Sequence, residues 1–196
     1  MWHSGLSGAI VSMFSFLGTG VLIYKFLQKM GVGLLGRLMG VLVFVANINV
    51  LYLQSTAMTE LLLLFTMTAS VYDLMLWHKT NRIVNLVRAA FWVMLSTLVR
   101  YDGWFLFIIA SALIVINLLR EGGFSFKSIL SKYRKVEGVI LMFATLAGFG
   151  IFLWLLWNLL IFKDPFFFAF GQYSAHAQQE QLESAGELIT KGDWLL

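Results

Sequence analysis

Three groups of polar residues interrupt a chain otherwise suited to an apolar solvent, and each could carry chemistry. The first is Glu60 and Arg100, with Asp102 two residues after the arginine. A carboxylate can act as general base toward a hydroxyl. An arginine can hold a phosphate bidentately and never loses its charge. The second group brackets the first: Asn47, Asn49, Gln54, Ser55, Thr56 and Thr59 precede Glu60, while Thr97 and Tyr101 flank Arg100. The third closes the last apolar run with Asn158, Lys163 and Asp164, the aspartate standing directly before the only proline, Pro165. A single member of these groups has a plainer use as a hydrogen-bonded loop residue or a cap, and Thr56 or Thr59 could cap the helix that follows. As a set, they point to a polar concavity at one membrane boundary. Glu60 and Arg100 either pair with each other, or Arg100 meets an anionic ligand.

A fourth group lies inside apolar runs. Asp73, Arg88 and Arg37 stand about one turn inside their segments from the same side. Charges at that depth are costly and face partners or cavities. Asp73–Arg88 or Asp73–Arg37 is expected as a structural ion pair without chemistry, the alternative being snorkelling to the surface.

The elements that must position these residues follow from composition. Of 196 residues, 60% are hydrophobic and 12% charged, against about 45–50% and about 25% in soluble domains. Disorder is excluded, since disordered chains are poor in aromatics and rich in charge. A soluble globular domain of this length cannot hide so much apolar surface. A polytopic membrane protein remains, all-α because the apolar runs are continuous and lack the alternation of barrel strands. Six segments are expected as membrane helices: 5–24, 34–53, 58–77, 83–99, 103–119 and 138–162. At ~20 residues per crossing, the fourth and fifth are short. Residues 1–162 thus form a transmembrane helical core, and 163–196 an extracytoplasmic tail.

Charge gives the orientation. Lys25, Lys29 and Arg37 follow the first segment, Lys79, Arg82 and Arg88 the third, and five Lys/Arg against two acids fill 120–137 after the fifth. Positive loops stay cytoplasmic. Both termini and the Glu60, Arg100 and Asp164 clusters are then expected outside, and the tail, with two lysines and five acids, agrees. The stretch 122–136 mixes Phe124, Phe126, Ile129, Leu130 and Tyr133 with lysines. It reads as an interfacial segment on anionic lipid or as an ordinary basic loop. No lysine or arginine precedes the first apolar run, which argues against a cleaved signal peptide.

Other motifs carry little. Gly31-Val-Gly-Leu-Leu-Gly36 matches GxGxxG but has no preceding strand. Gly36 and Gly40 read as close helix packing. There is no P-loop, HExxH or DxD, and His3, His78 and His176 are scattered, so no histidine metal site is expected and no cofactor is indicated; a divalent metal stays open. Zero cysteines exclude thiolate chemistry. The net charge of +4 reflects cytoplasmic loops and no nucleic-acid partner is expected. No internal repeat is evident.

QSTAMTE (54–60), RYDGW (100–104), WNLLIFKDPFFF (157–168) and GQYSAHAQQ (171–179) resemble membrane glycosyltransferases of the GT-C superfamily. Within it, the residues resemble the prokaryotic dolichyl- or polyprenyl-phosphate-sugar transferases of the protein-mannosyltransferase and lipid A aminoarabinose transferase type. That resemblance implies transfer of a sugar from a polyprenyl-phosphate carrier to an acceptor at the outer face of a prokaryotic plasma membrane. It implies that Glu60 lies near the carrier phosphate or acceptor and that Arg100 suits the phosphate. Gln54, Thr56, Asp102, Asn158 and Asp164 are expected around that donor or acceptor. The family base is an acid in an external loop after its first helix. This sequence enters at a helix resembling the family's second, so the chain is expected to lack that base, and the extracytoplasmic domain that usually follows. Phe166, Phe167 and Phe168 line a lipid groove or form an interfacial aromatic belt.

Two other classes compete. A transporter or channel subunit would place its polarity near the midplane, often with inverted repeats, whereas here the clusters lie at the ends. A catalytically incomplete fragment or assembly subunit is consistent with the missing base.

Overall fold

The structure is a computed structural model that describes residues 5–120, 126–172 and 174–184; the side chains of 126–135, 175 and 176 lie outside that description. Among the described residues, the elements are all helices: α1 (Leu6–Lys29), α2 (Leu34–Val45), α3 (Ile48–Gln54), α4 (Glu60–Thr80), α5 (Ile83–Val99), α6 (Asp102–Arg120), α7 (Phe126–Phe162), α8 (Phe167–Phe170) and α9 (Ala175–Ser184). The chain divides into two compact units, Met1–Ile151 and Phe152–Leu196, and the division falls inside α7.

In the first unit, α1 and α4 run parallel. Gly8 meets Ala57 and Gly18 meets the ring of Phe65 at the positions where a Cβ would sit. Further along, the Lys79 ammonium donates to the carbonyl of Lys29. Helix α5 returns antiparallel to α4, and the core is built where α4, α5, α6 and the first part of α7 converge. Leu86, Ala89, Ala90 and Val93 of α5 are completely buried there with Phe143 and Ala147 of α7. The alanines among them, Ala89, Ala90 and Ala147, let helix axes approach closely, which suits packing in lipid.

The distribution of polarity is that of a membrane bundle. Ser12, Ser15, Thr19, Thr66, Ser70, Ser96 and Thr97 are buried, while Phe14, Phe105 and Ile108 are exposed. Most of these hydroxyls donate to a carbonyl of their own helix three or four residues back, as Thr19 does to Ser15 at 2.7 Å and Ser96 to Val93 at 2.7 Å. They therefore need no water. Ser12 instead reaches across to the Met58 carbonyl at 3.0 Å.

Helix ends have local causes. Met30 ends α1, Gly31 takes a left-handed φ of 81°, and its N–H donates to Gln28 while that of Val32 donates to Leu27. This is a Schellman cap, which favours glycine at that site. Gly31, the first glycine of the GxGxxG match, therefore serves to stop a helix, and Gly33 stands before the start of the next. Asn81, at φ 52°, ends α4 in the same left-handed region.

Six crossings were expected; among the described residues, four helices are long and apolar enough to span: α1, α4, α6 and the 136–162 part of α7. The pair α2 and α3 makes a fifth if its 66° bend is crossed as one span. The second expected segment is thus not one helix. The Asn47 side chain accepts from the N–H groups of Asn49 at 2.9 Å and Val50 at 3.3 Å, starting a new helix inside the apolar run. Helix α5 keeps its expected bounds, but its 17 residues rise only about 25 Å, short of a hydrocarbon core of about 30 Å. The last expected segment also changes, because α7 begins at Phe126 and absorbs much of the basic stretch read as a loop. The interfacial role considered for 122–136 rests on side chains outside the described residues.

The second unit holds the remainder of α7, then α8 and α9. The Asp164 carboxylate accepts from the Phe166 N–H at 2.9 Å, and Lys163 takes φ 61°. Together with Pro165 this closes α7. Phe162 and Phe167 stack with ring centroids 4.2 Å apart across the turn. The tail from 185 onward lies outside the described residues.

Candidate functional site

Glu60, Arg100 and Asp102 come together because α4, α5 and α6 begin or end at one level. Glu60 opens α4, thirteen residues before Asp73; Arg100 follows α5, twelve residues after Arg88. One antiparallel register therefore brings both acid–arginine pairs into contact. At the polar end, Arg100 Nη1 meets Glu60 Oε1 at 2.7 Å and Arg100 Nε meets Asp102 Oδ2 at 3.1 Å. Arg100 leaves the helix in extended backbone, φ −158°, which swings its side chain over both helix starts. Each carboxylate sits in the first turn of its helix, where the macrodipole favours negative charge.

The cluster is half-open, with side-chain exposures of 40% for Glu60, 41% for Arg100 and 59% for Asp102. Two carboxylates against one guanidinium leave it a formal −1. Glu60 Oε1 is engaged, whereas its Oε2 is shielded and accepts no hydrogen bond. Of the two readings, pairing of Glu60 with Arg100 is the arrangement observed, and the Arg100–Asp102 turn supplies a second carboxylate. The Tyr101 and Trp104 rings meet edge to face beside it, 5.9 Å apart, and the Trp104 indole donates to the Thr97 carbonyl at 3.3 Å.

The neighbouring hydroxyls serve the backbone. Thr56 donates to the Leu53 carbonyl at 3.0 Å and Ser55 to Tyr52 at 2.8 Å. Thr59 stands at the N-cap position of α4, but its side chain makes no capping bond. Neither threonine caps α4 through its hydroxyl. Gln54 ends α3 and is half-buried. Asn47 and Asn49 belong to the start of α3.

In the second unit, Asn158 is buried and donates to the Trp154 carbonyl at 2.9 Å. Asp164 holds its own turn. Phe167 and Phe168 are half-buried, whereas Phe166 is exposed.

At the opposite end of the α4–α5 pair, Asp73 is 1% exposed and meets Arg88 Nη2 at 3.3 Å. The Trp92 indole donates to its other oxygen at 3.2 Å. Trp92 was missed by sequence reasoning, although it lies one turn beyond Arg88 on the same helix face. Arg37 does not join this pair. Its Nε donates to the Val32 carbonyl at 2.6 Å and its guanidinium lies over the Tyr24 ring, 5.7 Å from the centroid.

Among the described residues, no three His, Asp or Glu side chains are grouped to hold a metal ion. Two apolar grooves, of about 590 and 710 Å3, are walled by α1, α4 and α6 and by α1 and α2, and neither includes Glu60, Arg100 or Asp102. Comparison with protein-family models, with curated proteins and with solved structures finds no match.

Proposed function

We propose that this chain is the membrane core of a glycosyltransferase of the GT-C type, moving a sugar from a polyprenyl-phosphate carrier to an acceptor at the outer face. The observation that carries this is the Glu60–Arg100–Asp102 cluster at the end of apolar helices, with Glu60 Oε2 still lacking a hydrogen-bond donor. A lipid-linked phosphate sits at the headgroup level, and its transferase needs an acid and a cation at that depth. In this reading, Glu60 accepts the proton of the acceptor hydroxyl. Arg100 exchanges a carboxylate for the departing phosphate and stabilises its charge. Asp102 holds the guanidinium in place meanwhile. Lysines and arginines concentrated at the other end of the bundle support a cytoplasmic position for that end.

A second reading has its own support. Arg100 is already neutralised by two carboxylates, which equally suits a clamp joining α4, α5 and α6 in an assembly subunit or incomplete fragment.

Sugar transfer from a labelled polyprenyl-phosphate donor, measured in membranes containing the chain, decides between them. Under the transferase reading, Glu60→Gln lowers the rate on the order of 10²-fold or more, and Arg100→Ala by a similar factor. Wild-type rates in both variants, at matched protein levels, would remove the site assignment. No transfer by the unsubstituted chain favours the subunit reading.

A further inference from the structure

We propose that the groove walled by α1, α4 and α6 binds an anionic glycerophospholipid from the leaflet at the basic end of the bundle. This does not rest on the transferase reading, since the groove and the Glu60 cluster lie at opposite ends of α4. The groove encloses about 590 Å3, and Phe26, Val71, Met75 and Leu113 give it an apolar wall suited to an acyl chain.

Its polar end is what selects the occupant. His78, Asn117 and Arg120 line the groove where α4 and α6 terminate. The segments reaching this end, 25–33, 78–83 and 117–120, contain Lys25, Lys29, Lys79, Arg82 and Arg120, and the sequence then continues with a single acid, Glu121. Three helix carboxyl termini also converge here and carry partial negative charge, which these cations more than offset. Basic pockets between membrane helices hold anionic headgroups in this way. Arg120 would take the phosphate through its planar fork, with the His78 imidazole beside it.

Asn117 adds an independent sign of a missing partner. Its amide nitrogen is buried and has no hydrogen-bond partner, an arrangement proteins avoid; since Asn117 lines the groove, a turn of its carboxamide would present that nitrogen to an occupant. It stands three residues, about 4.5 Å along the axis, deeper than Arg120. In a glycerophospholipid, the ester carbonyls, which are acceptors, lie deeper than the phosphate. The order of cation, then donor, then apolar wall matches the order of phosphate, ester and chain.

The test is lipid retention by the purified chain, read by native mass spectrometry. Phosphatidylglycerol and phosphatidylcholine of identical chains are offered in equal amounts. About tenfold preferential retention of phosphatidylglycerol is expected. His78→Ala with Arg120→Ala should abolish the preference while helicity and a single gel-filtration peak persist. Val71→Trp, at a position 44% exposed and thus tolerant of size, should fill the groove and reduce retention of both lipids several-fold. Equal retention of the two lipids by the unsubstituted chain overturns the proposal without recourse to any variant. So does an undiminished preference in the double variant, or unchanged retention in Val71→Trp.

Discussion

Removing Arg88 should destabilise the bundle by about 1 kcal/mol more than removing the whole charge pair. Asp73 is 1% exposed, lies 3.3 Å from Arg88, and has one further partner, the Trp92 indole at 3.2 Å. At an effective dielectric of about 20, two charges at that separation attract by roughly 5 kcal/mol before desolvation. Arg88 is 55% exposed, so solvent screens a good part of this. Losing one partner of a fully buried pair costs about 3–5 kcal/mol, and the half-open geometry brings Arg88→Ala to about 2–3 kcal/mol. Asp73→Asn keeps the size and a Trp92 acceptor, and leaves Arg88 free to turn outward; it should cost about 1 kcal/mol, the worth of a weakened hydrogen bond. In the double variant, the neutral amide no longer needs a cation. Its cost should fall below the sum of the singles by about 2 kcal/mol, a coupling that a double-mutant cycle resolves. Equilibrium unfolding in mixed detergent–dodecyl sulfate micelles, followed by circular dichroism, supplies the four free energies. Strict additivity within about 0.5 kcal/mol would refute the reasoning and make the pair a bystander.

Other outcomes follow from local geometry. A Cβ at Gly103 would strike the Ser96 backbone, whereas one at Gly138 meets nothing within 4 Å; Gly103→Ala should therefore lower the folded yield severely, while Gly138→Ala should stabilise by up to about 1 kcal/mol, both read in the same unfolding assay. Asn47→Ala removes the cap of α3 and should cost about 1 kcal/mol, lowering the midpoint of thermal unfolding by roughly 2–4 °C for a chain of this size. The absence of cysteine allows single-cysteine labelling: Ser55→Cys should react with an impermeant maleimide in intact cells, and Arg82→Cys only after permeabilisation. The reverse pattern would invert the orientation.

The sequence and the structure part company at specific residues. Helix α5 runs from Ile83 to Val99 as its apolar run does, because Arg82 and Arg100 bound it with extended backbone that cannot continue a helix. The α2–α3 break was not legible, since hydropathy averages over Asn47, whose carboxamide acts by capping and not by polarity. The α7 start was hidden for the opposite reason. Its first turns are basic, and a charged helix outside the apolar core looks like a loop to any hydropathy measure. At the candidate site, Glu60 and Arg100 could be matched by charge, but the second carboxylate on Arg100 comes from a two-residue turn whose geometry no spacing rule supplies. The partners of Arg37 are a carbonyl and a ring from its own neighbourhood, which charge complementarity alone does not suggest.

The bent α2–α3 pair also bears on the lipid around it. Twelve helical residues rise about 18 Å, and seven more, tilted by 66°, add only about 4 Å along the same axis. Helix α5 reaches about 25 Å. Both fall short of a hydrocarbon layer of about 30 Å. The α2–α3 shortfall lies at its bent end, near the end where Glu60 and Arg100 sit. A bilayer accommodates short elements by thinning, so headgroups should dimple inward beside the acid–arginine cluster. An elastic depression of this kind would carry a lipid-borne phosphate several ångströms toward side chains that a flat membrane would leave out of its reach.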